Sequence, residues 1–417
     1  MSFRALATPV QLTLGTVYTW NDQDVSAYLP AGATGAIIHW VSPTATNNAL
    51  ALRKKGSTDD RTGSAFSNAN GHPMTIVGVD SDRVFQEYHY DSPPAFTLEA
   101  WLIGYTMPGV VFFTNAYDKT PAAGAWTDID LSVECPGAIG IIAEVNVGSF
   151  GYGIRKNGSS DNRNERGNHK WVIIGCDANQ IIEFYDGSSA PSLWILGYIT
   201  AGATFKTNAD DKSLTAADAW TAIDCSAESE AAAIMLFFEV VTGGNLLRYG
   251  LRKRGSTEDI YGDLTYTRHP FEIVPCNTAQ VVDGKIETTV VDFFLVGYAT
   301  VVAPTVVTEE ASSISGTRVV LNGTLSDNGG EDCDCYFEYG ETTDYGKTTA
   351  TQTKGTGDSF EQEVVALKGG TVYHYRTVAT NQTATTYGAD KTVQTHALTQ
   401  EAQQAFSHSN ALSRSDL

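Results

Sequence analysis

A basic block that recurs three times in the sequence is the first candidate for binding chemistry. Each block places an arginine before a glycine-containing turn and an acidic residue after it. The arginine offers a planar fork of hydrogen-bond donors and the turn exposes backbone amides, so the block could bind an anionic or polyol ligand. The residues are Arg53 and Asp59, Arg155 and Asp161, and Arg252 and Asp259.

The same residue types also have a structural role, which we favour. Glycine supplies the positive φ that a hairpin needs, and Ser, Thr and Asp side chains hydrogen-bond the backbone of a turn. The arginine can pair with a neighbouring aspartate. The blocks are therefore predicted to be turns first and ligand sites second.

Metal chemistry is suggested by acidic pairs and by one histidine per repeat. The pairs include Asp210–Asp211, and hard cations such as calcium take several oxygen ligands. None has the spacing of a known calcium loop, so we expect turn chemistry and leave calcium as the alternative. The histidines are His72, His169 and His269. Each begins an apolar strand with no Asp or Ser partner at a fixed spacing, which predicts packed side chains rather than ligands or bases.

Catalysis is not expected from this sequence. It contains no Gly-x-Ser-x-Gly, no His-Glu-x-x-His and no P-loop. A pair of glycosidase carboxylates is not excluded by sequence, but it would need a groove on a larger sheet than one repeat offers. The residues kept in all copies are of the kinds that build cores and turns, so we predict a protein that is not an enzyme and has no cofactor.

The basic blocks belong to a long internal repeat. Trp20, Trp126 and Trp220 each begin a similar segment, and an apolar run, the basic block and the histidine follow in the same order. Each copy closes on a Gly-Tyr pair that ends in Tyr105, Tyr198 or Tyr298. The copies are domain-sized, well above the period of a solenoid. We predict that the tryptophans are buried at equivalent core positions and that the tyrosines share one strand-end position.

Short Val-, Ile-, Tyr- and Trp-rich segments separated by Gly, Asn, Asp and Ser clusters are typical of a sandwich or jelly roll. The fold class predicted is therefore all-β, with tandem sandwich or jelly-roll-like modules and few helices. The predicted boundaries are 1–106, 107–201 and 202–302 for the three copies, 303–397 for a fourth module and 398–417 for a tail.

Composition limits the partners of the chain. Its 417 residues carry a formal charge of −21, which repels phosphate backbones and anionic lipid, so nucleic acid and membrane surfaces are not expected partners. Residues 1–18 have one arginine and no continuous apolar core, so no export signal is expected. No stretch is long and apolar enough to predict membrane insertion.

The six cysteines do not form a framework that recurs across the copies. Cys176 and Cys276 each follow the repeat histidine by seven residues and are predicted to be small buried hydrophobes. Cys333 and Cys335 share one face of a predicted strand, where a disulfide or a metal contact stays an alternative to two free thiols.

The fourth module resembles the fibronectin type III family. The resemblance rests on Tyr336 to Gly340, Leu367, Gly369, Tyr373 and a closing Thr386 to Gly388. It implies an immunoglobulin-like sandwich with Tyr373 as the tyrosine corner, whose hydroxyl binds an upstream backbone group. The Arg-Gly-Asp tripeptide is absent, so integrin-type binding is not implied.

The three repeats are similar to modules of bacteriophage and archaeal virus structural proteins, through their architecture and the strand that ends in Gly-Tyr. This resemblance implies a virion surface protein, either a capsid decoration or head fibre or a tail or baseplate adhesion subunit. Its expected partners are other virion proteins, copies of itself and host surface polysaccharide. The alternative is a secreted or cell-surface adhesin with carbohydrate-binding modules; a polysaccharide-degrading enzyme is less favoured.

The tail, residues 398–417, is predicted to lie in an assembly contact. Thr399 could cap a short helix in which Ala402, Ala405 and Phe406 form one apolar face. Such a short helix is not stable alone, so a neighbouring chain is expected to cover that face.

Overall fold

The computed structural model describes residues 2–42, 48–66, 72–90, 98–122, 124–146, 151–164, 169–187, 192–242, 247–263, 269–300, 302–329, 332–381 and 384–397. Every helix or strand in these ranges is a β-strand. The strands form two compact units, Met1–Thr300 and Val301–Leu417. The prediction of an all-β chain is confirmed.

Module 1 is a jelly roll. Its strands are β1 (Phe3–Leu12), β2 (Asn21–Asp24), β3 (Gly35–Val41), β4 (Asn48–Lys54), β5 (Gly63–Phe66), β6 (Met74–Gly78), β7 (Val84–Tyr90) and β8 (Glu99–Thr106). One antiparallel sheet has the order β1-β8-β3-β6 and the other β2-β7-β4-β5. Two interleaved four-stranded sheets with these crossovers are the jelly-roll arrangement.

Modules 2 and 3 repeat this topology. The strands of module 2 are β9 (Val110–Asp118), β10 (Trp126–Asp130), β11 (Gly140–Asn146), β12 (Tyr152–Lys156), β13 (His169–Gly175), β14 (Ile181–Asp186) and β15 (Ser192–Ile199). Those of module 3 are β16 (Ala203–Asp211), β17 (Thr221–Asp224), β18 (Ala233–Thr242), β19 (Arg248–Lys253), β20 (Gly262–Asp263), β21 (Phe271–Pro275), β22 (Val281–Ile286) and β23 (Val291–Thr300). The sheet orders are β13-β11-β15-β9 with β10-β14-β12, and β16-β23-β18-β21 with β17-β22-β19-β20.

Burial along the strands shows which faces are covered. In β8 and β15 buried and half-buried residues alternate, as in a strand with one face on a core. In β6 and β13 every residue is buried. A strand buried on both faces reads as a continuous apolar run. The second face of these strands is covered by the other modules.

The three modules surround an approximate threefold axis. The equivalent strands β6, β13 and β21 contact one another in pairs. Met74, Ile76, Ile173, Phe271 and Ile273 belong to one hydrophobic cluster that draws on all three modules. The sequence predicts tandem modules, whereas the structure closes them into one three-lobed body with a shared core.

Unit 2 is a separate sandwich that begins after the third jelly roll. Its strands are β24 (Thr305–Thr308), β25 (Arg318–Asp327), β26 (Cys333–Gly340), β27 (Lys347–Thr348), β28 (Gln352–Lys354), β29 (Ser359–Val365), β30 (Val372–Thr380), β31 (Thr385–Tyr387) and β32 (Lys391–Gln394). One sheet is β24-β25-β29, and the other is built on β26 and β30. The hydroxyl of Tyr373 accepts a hydrogen bond from the backbone N–H of Lys368 at 3.0 Å. This bond across the strand crossing is the tyrosine corner that the resemblance implies.

We expect Tyr373→Phe to destabilise unit 2 by about 1 kcal/mol, because the variant loses this bond and leaves the Lys368 amide unpaired. Scanning calorimetry of the full chain measures the change. All seven tryptophans lie in unit 1, so unfolding followed by tryptophan fluorescence should stay unchanged and serves as the control. An unaltered calorimetric profile would contradict the prediction.

All six cysteines are buried, and none of them forms a disulfide. Cys176 and Cys276 pack in the cores of modules 2 and 3 as small hydrophobes. Cys333 and Cys335 are not joined by a disulfide, and burial raises the pKa of Cys335 to about 11.

The predicted helix of the tail lies outside the described residues. Among the residues that are described, no helix has the length and hydropathy needed to cross a membrane.

Candidate functional site

The three repeated tryptophans occupy equivalent positions at the start of the second strand of each module. They are Trp20, Trp126 and Trp220. All three are half-buried, so the prediction of core burial is wrong. In each module the guanidinium of Arg53, Arg155 or Arg252 lies 3.9 Å from the centre of the indole ring. A cation over an indole face is attracted by the ring. The indole N–H donates to Asp60, Asn162 or Asp259. These tryptophans therefore hold an arginine instead of filling a core.

The repeated tyrosines also share one position, near the end of the last strand of each module. Tyr105, Tyr198 and Tyr298 pair with equivalent residues of the neighbouring strand. Tyr298 is buried, and the other two are half-buried.

The stacked arginine fixes the turn that follows it. Arg53 donates through Nη1 to the carbonyl oxygen of Asp59 at 2.6 Å, and the other two arginines bond Asp161 and Glu258 in the same way. We call this turn the clasp turn; it comprises residues 54–59, 156–161 and 253–258. Its glycine has φ of 88°, 81° and 85° in modules 1, 2 and 3. Positive φ is the conformation that requires glycine here.

The clasp turn of module 1 binds module 2. The amide oxygen of Asn115 accepts hydrogen bonds from the Ser57 hydroxyl and the Thr58 backbone N–H, both at 2.9 Å. The carboxylate of Asp59 accepts a bond from the backbone N–H of Ala116 at 2.8 Å. Three groups of one turn therefore recognise two residues of the next module.

The clasp turn of module 2 binds module 3 with the same bonds. Asn208 accepts from the Ser159 hydroxyl at 3.0 Å and the Ser160 N–H at 2.8 Å, and Asp161 accepts from the Ala209 N–H at 2.8 Å. The bound residues lie in a bulge of the first strand, at 113–116 in β9 and 206–209 in β16, where strand pairing is interrupted. The bulge thus presents its polar groups to the preceding module.

A phenylalanine accompanies each of these two contacts. Phe112 of β9 packs over Gly35 and Gly78 of module 1, and Phe205 of β16 packs over Gly140 and Gly175 of module 2. A Cβ at Gly140 would lie 2.2 Å from the Phe205 ring, so only glycine admits the ring at this distance. We call these two contacts the closed interfaces.

Buried charge crosses the closed interfaces as well. Arg61 of module 1 donates to Glu144 of module 2 at 2.9 Å, and Glu144 also bonds His169. Arg163 of module 2 donates to Glu239 of module 3 at 2.7 Å, and Glu239 also bonds His269. Each closed interface therefore holds an Arg–Glu–His triad.

The second triad shows how the charges support one another. Burial disfavours ionisation of Glu239, but His269 and Arg163 outweigh burial and lower its pKa. Burial likewise disfavours the charged form of Arg163, yet Glu239 and Asp161 raise its pKa. The repeat histidines are packed, as predicted, but the sequence interpretation missed the glutamate partners of His169 and His269.

The contact between modules 3 and 1 departs from this pattern at the positions opposite the clasp turn and in the triad, and we call it the open interface. By strand register Ala5 replaces the phenylalanine, Thr8 the asparagine, and Pro9, which has no N–H, the alanine. His39 replaces the glutamate and Ile260 the arginine. The Nε2 atom of His39 lies 3.3 Å from Nδ1 of His72. In the part of the chain that the structure describes, the open interface has neither the clasped side chains nor the ionic triad.

A groove of about 450 Å³ lies at the open interface, and we call it the open groove. The clasp turn of module 3 forms one wall, and the bulge of β1, residues 6–9, forms the other. Its floor includes Met74, Ile103 and Pro275. This volume is in the range of small-molecule sites. It is the strongest candidate for a binding site in the described part of the chain.

Burial shifts the pKa values of three titratable groups that line the open groove toward their neutral forms. Burial and the neighbouring His72 lower the pKa of His39 to about 3. Burial lowers the pKa of His72 to about 4. Burial also raises the pKa of Glu272 to about 8, although its bond from the Tyr249 hydroxyl opposes the shift. The net charge of the open groove therefore comes from its rim.

The basic rim belongs to the third block that the sequence singled out. Among the described residues, Arg252, Lys253 and Arg254 line the rim of the open groove together with the Glu258 carboxylate. Arg254 bonds Asp283, and Asp259 lies outside the lining, where it bonds Trp220. In the described residues Lys253 makes no ion pair. Arg53, Asp59, Arg155 and Asp161 are used within the closed interfaces instead.

No cluster of three or more His, Cys, Asp or Glu side chains that could hold a metal occurs in the ranges the structure describes. Of the acidic pair Asp210–Asp211, the first residue lies 3.0 Å from the Lys206 ammonium.

We expect Arg155→Met to destabilise unit 1 by about 1–2 kcal/mol, through loss of the indole contact and of the bond to the clasp turn. The Arg155–Glu183 ion pair, at 2.8 Å, is lost too. Urea unfolding followed by tryptophan fluorescence measures the change. Arg53→Met is the matched variant in module 1 and should behave alike; two variants as stable as the parent would contradict the bracing role.

No family model and no curated protein matches the sequence of this chain. Solved structures with similar segments exist. The sensor domain of the anti-sigma factor RsgI4 from Pseudobacteroides cellulosolvens aligns over 24% of this chain and 100% of its own, at 19% identity and a TM-score of 0.20.

Two further solved structures contain fibronectin domains. A human fibronectin type III domain from the KIAA0970 protein aligns over 22% of this chain and 74% of its own, at 20% identity and a TM-score of 0.18. The chicken CNTN1 FN1-FN3 domains align over 66% of this chain and 100% of their own, at 12% identity and a TM-score of 0.18.

Proposed function

We propose that this chain is a non-catalytic structural protein of a virion surface, serving as a capsid decoration, head fibre, or tail or baseplate adhesion subunit. The observation that carries the proposal is the use of the repeated residues. In each repeat the Trp and Arg side chains stabilise a clasp turn that contains the Gly and Ser. Two of the three clasp turns join one jelly roll to the next. Repeated residues that hold modules together are expected in a rigid structural protein, whereas an active site would use residues of one module.

Architecture and charge support the same role. Jelly rolls are used in viral capsid and lectin domains, and the fibronectin-like unit adds a second module of an extracellular kind. The charge of −21 disfavours nucleic acid and anionic membranes. Other virion proteins, further copies of this chain and host surface polysaccharide are the proposed partners.

Immunogold microscopy tests the location. Antibody raised against unit 1 is applied to intact cells of the producing culture and to particles released on lysis, with antibody pre-adsorbed on the purified chain as the control. We expect gold on the released particles. Gold on the cell envelope of intact cells would favour the adhesin, and gold on neither would overturn a surface role.

A separate assay tests the absence of catalysis. The purified chain is incubated with capsular or cell-wall polysaccharide of the host, and reducing ends are counted against boiled protein. We expect no release above the boiled control. If reducing ends were released, and if this release were lost when an Asp or Glu of the chain was substituted, the chain would be a glycosidase.

A further inference from the structure

The clasp turn is an oxygen-binding site in both closed interfaces. In module 1 the Ser57 hydroxyl and the Thr58 N–H bind one oxygen, and the Thr58 hydroxyl lies 3.4 Å from the same atom. In module 2 the corresponding groups converge on the amide oxygen of Asn208, at 3.0, 2.8 and 3.2 Å. The hydrogen-bond donors of the clasp turn thus converge on a single acceptor oxygen.

The clasp turn of module 3 keeps these donors but has lost its acceptor. Ser256 and Thr257 stand where Ser57 and Thr58 stand in module 1, and Gly255 has the same positive φ. The residue opposite is Thr8, which has no amide oxygen. In the described residues the Ser256 and Thr257 donors bind no group of module 1. The donor set therefore faces the open groove.

The apolar part of the open groove has a related origin. Ala5 has a smaller side chain than Phe112 and Phe205, which stand at the same position in the closed interfaces, and this leaves space on the β1 side. Part of the difference lies in module 3, where Met235 and Pro275 stand at the positions of the two glycines. Met74, Ile103, Ile273 and Pro275 line this space. Among the described lining residues none is Phe, Tyr or Trp, so a sugar ring would find none of these side chains to stack on. An aliphatic body fits it better.

Charge selects an anion. Among the described residues three cations and the Glu258 carboxylate line the rim of the open groove. Asp283 pairs with Arg254 and lies 3.8 Å from Arg252, so Lys253 is the cation of the rim that has no counter-charge in these residues. The Nε atom of Arg252 is buried and lies 3.8 Å from the Asp283 carboxylate, too far for a hydrogen bond, whereas its counterpart in Arg155 donates to Glu183 at 2.8 Å. The neutral forms of His39, His72 and Glu272 add no repulsion near pH 7.

We propose that the open groove binds a small aliphatic carboxylate, with one carboxylate oxygen on the Ser256 and Thr257 donors, Lys253 as counter-ion and the alkyl chain on the floor. This site is distinct from the structural role proposed above and does not depend on it. Binding would add a ligand-dependent contact between modules 3 and 1.

Octanoate is the probe, and 1-octanol is the uncharged control. Isothermal titration of the full chain should show one saturable octanoate site, with 1-octanol bound about tenfold more weakly because charge-assisted bonds are lost. Octanoate should also raise the midpoint of tryptophan-detected unfolding of unit 1, since a ligand of the folded state stabilises it.

Two variants restore the residues of the closed interfaces. Thr8→Asn places an amide oxygen on the donors, and Ala5→Phe fills the floor. Each should weaken octanoate at least about tenfold. Ser159→Ala is the matched control, because it alters the same donor in a closed interface, and it should leave octanoate affinity within about twofold. If Ala5→Phe does not fold, Thr8→Asn decides alone.

Three outcomes would overturn the proposal. The first is no saturable binding of octanoate up to its solubility. The second is equal affinity for octanoate and 1-octanol, which would indicate an apolar crevice without an oxygen site. The third is unchanged affinity in Thr8→Asn, which would place octanoate elsewhere on the chain.

Discussion

Glu239→Ala is expected to lower the free energy of unfolding of unit 1 by about 3–5 kcal/mol, the usual cost of removing one partner from a buried ion pair. The side chain of Glu239 is 2% exposed and joins Arg163 of module 2 to His269 of module 3. Without it, Asp161 is the one counter-charge of Arg163 in the described residues, and the Nε2 atom of His269 loses its carboxylate partner. Urea unfolding followed by tryptophan fluorescence reports this loss.

The repeat supplies a matched variant and a control. Glu144→Ala removes the same member of the other triad and should cost a similar amount. Glu134→Ala breaks the Lys119–Glu134 ion pair, whose side chains are 25% and 18% exposed, and should cost at most about 1 kcal/mol. If Glu239→Ala proved as mild as Glu134→Ala, the triads would not hold the modules together.

Phe205→Ala should destabilise unit 1 by about 3–5 kcal/mol, because it removes a buried ring and leaves a cavity between modules 2 and 3. The Phe205 ring lies over Gly140, and its centre is 5.6 Å from that of Phe237. Phe112→Ala is the equivalent change at the other closed interface and should have a similar cost by the same urea assay.

A double-mutant cycle identifies the interface as the source. Gly140→Ala alone should cost about 1–3 kcal/mol, since its Cβ would overlap the Phe205 ring. In the Phe205→Ala background the same change should cost less, because the ring has gone. Additive costs would contradict direct packing of the ring on Gly140.

The strands of each module were predictable because one-sided burial leaves a clear pattern. The alternation of residue types along β8 and β15, together with the turn residues between strands, is enough to indicate a sandwich. Two-sided burial was encoded only in part, in the apolar run Trp171 to Ile174 of β13, because the buried residues Thr75 in β6 and Lys170 in β13 are polar. Such a run does not say what covers the second face, so the threefold arrangement could not be deduced from it.

The polar contacts were harder to predict for local reasons. Glu144 precedes His169 by 25 residues and Glu239 precedes His269 by 30. Because the loops between them differ in length, the two Glu–His pairs do not show a constant spacing in the sequence. Asn115 and Asn208 sit in bulges, whose residues escape the period of a strand. The burial of Trp20, Trp126 and Trp220 was predicted wrongly. A tryptophan that stacks on an arginine is repeated in the sequence just as a core tryptophan would be, so repetition does not distinguish the two.

Carrying three jelly rolls on one polypeptide has a consequence for how this body can vary. In a ring of three identical chains, a gene change from asparagine to threonine would open every junction at once. Here a single codon change alters one interface. The two closed interfaces can therefore keep unit 1 rigid while the third interface diverges. Covalent linkage also makes the ring independent of protein concentration. The open interface can therefore differ from the two closed interfaces and can evolve a separate function.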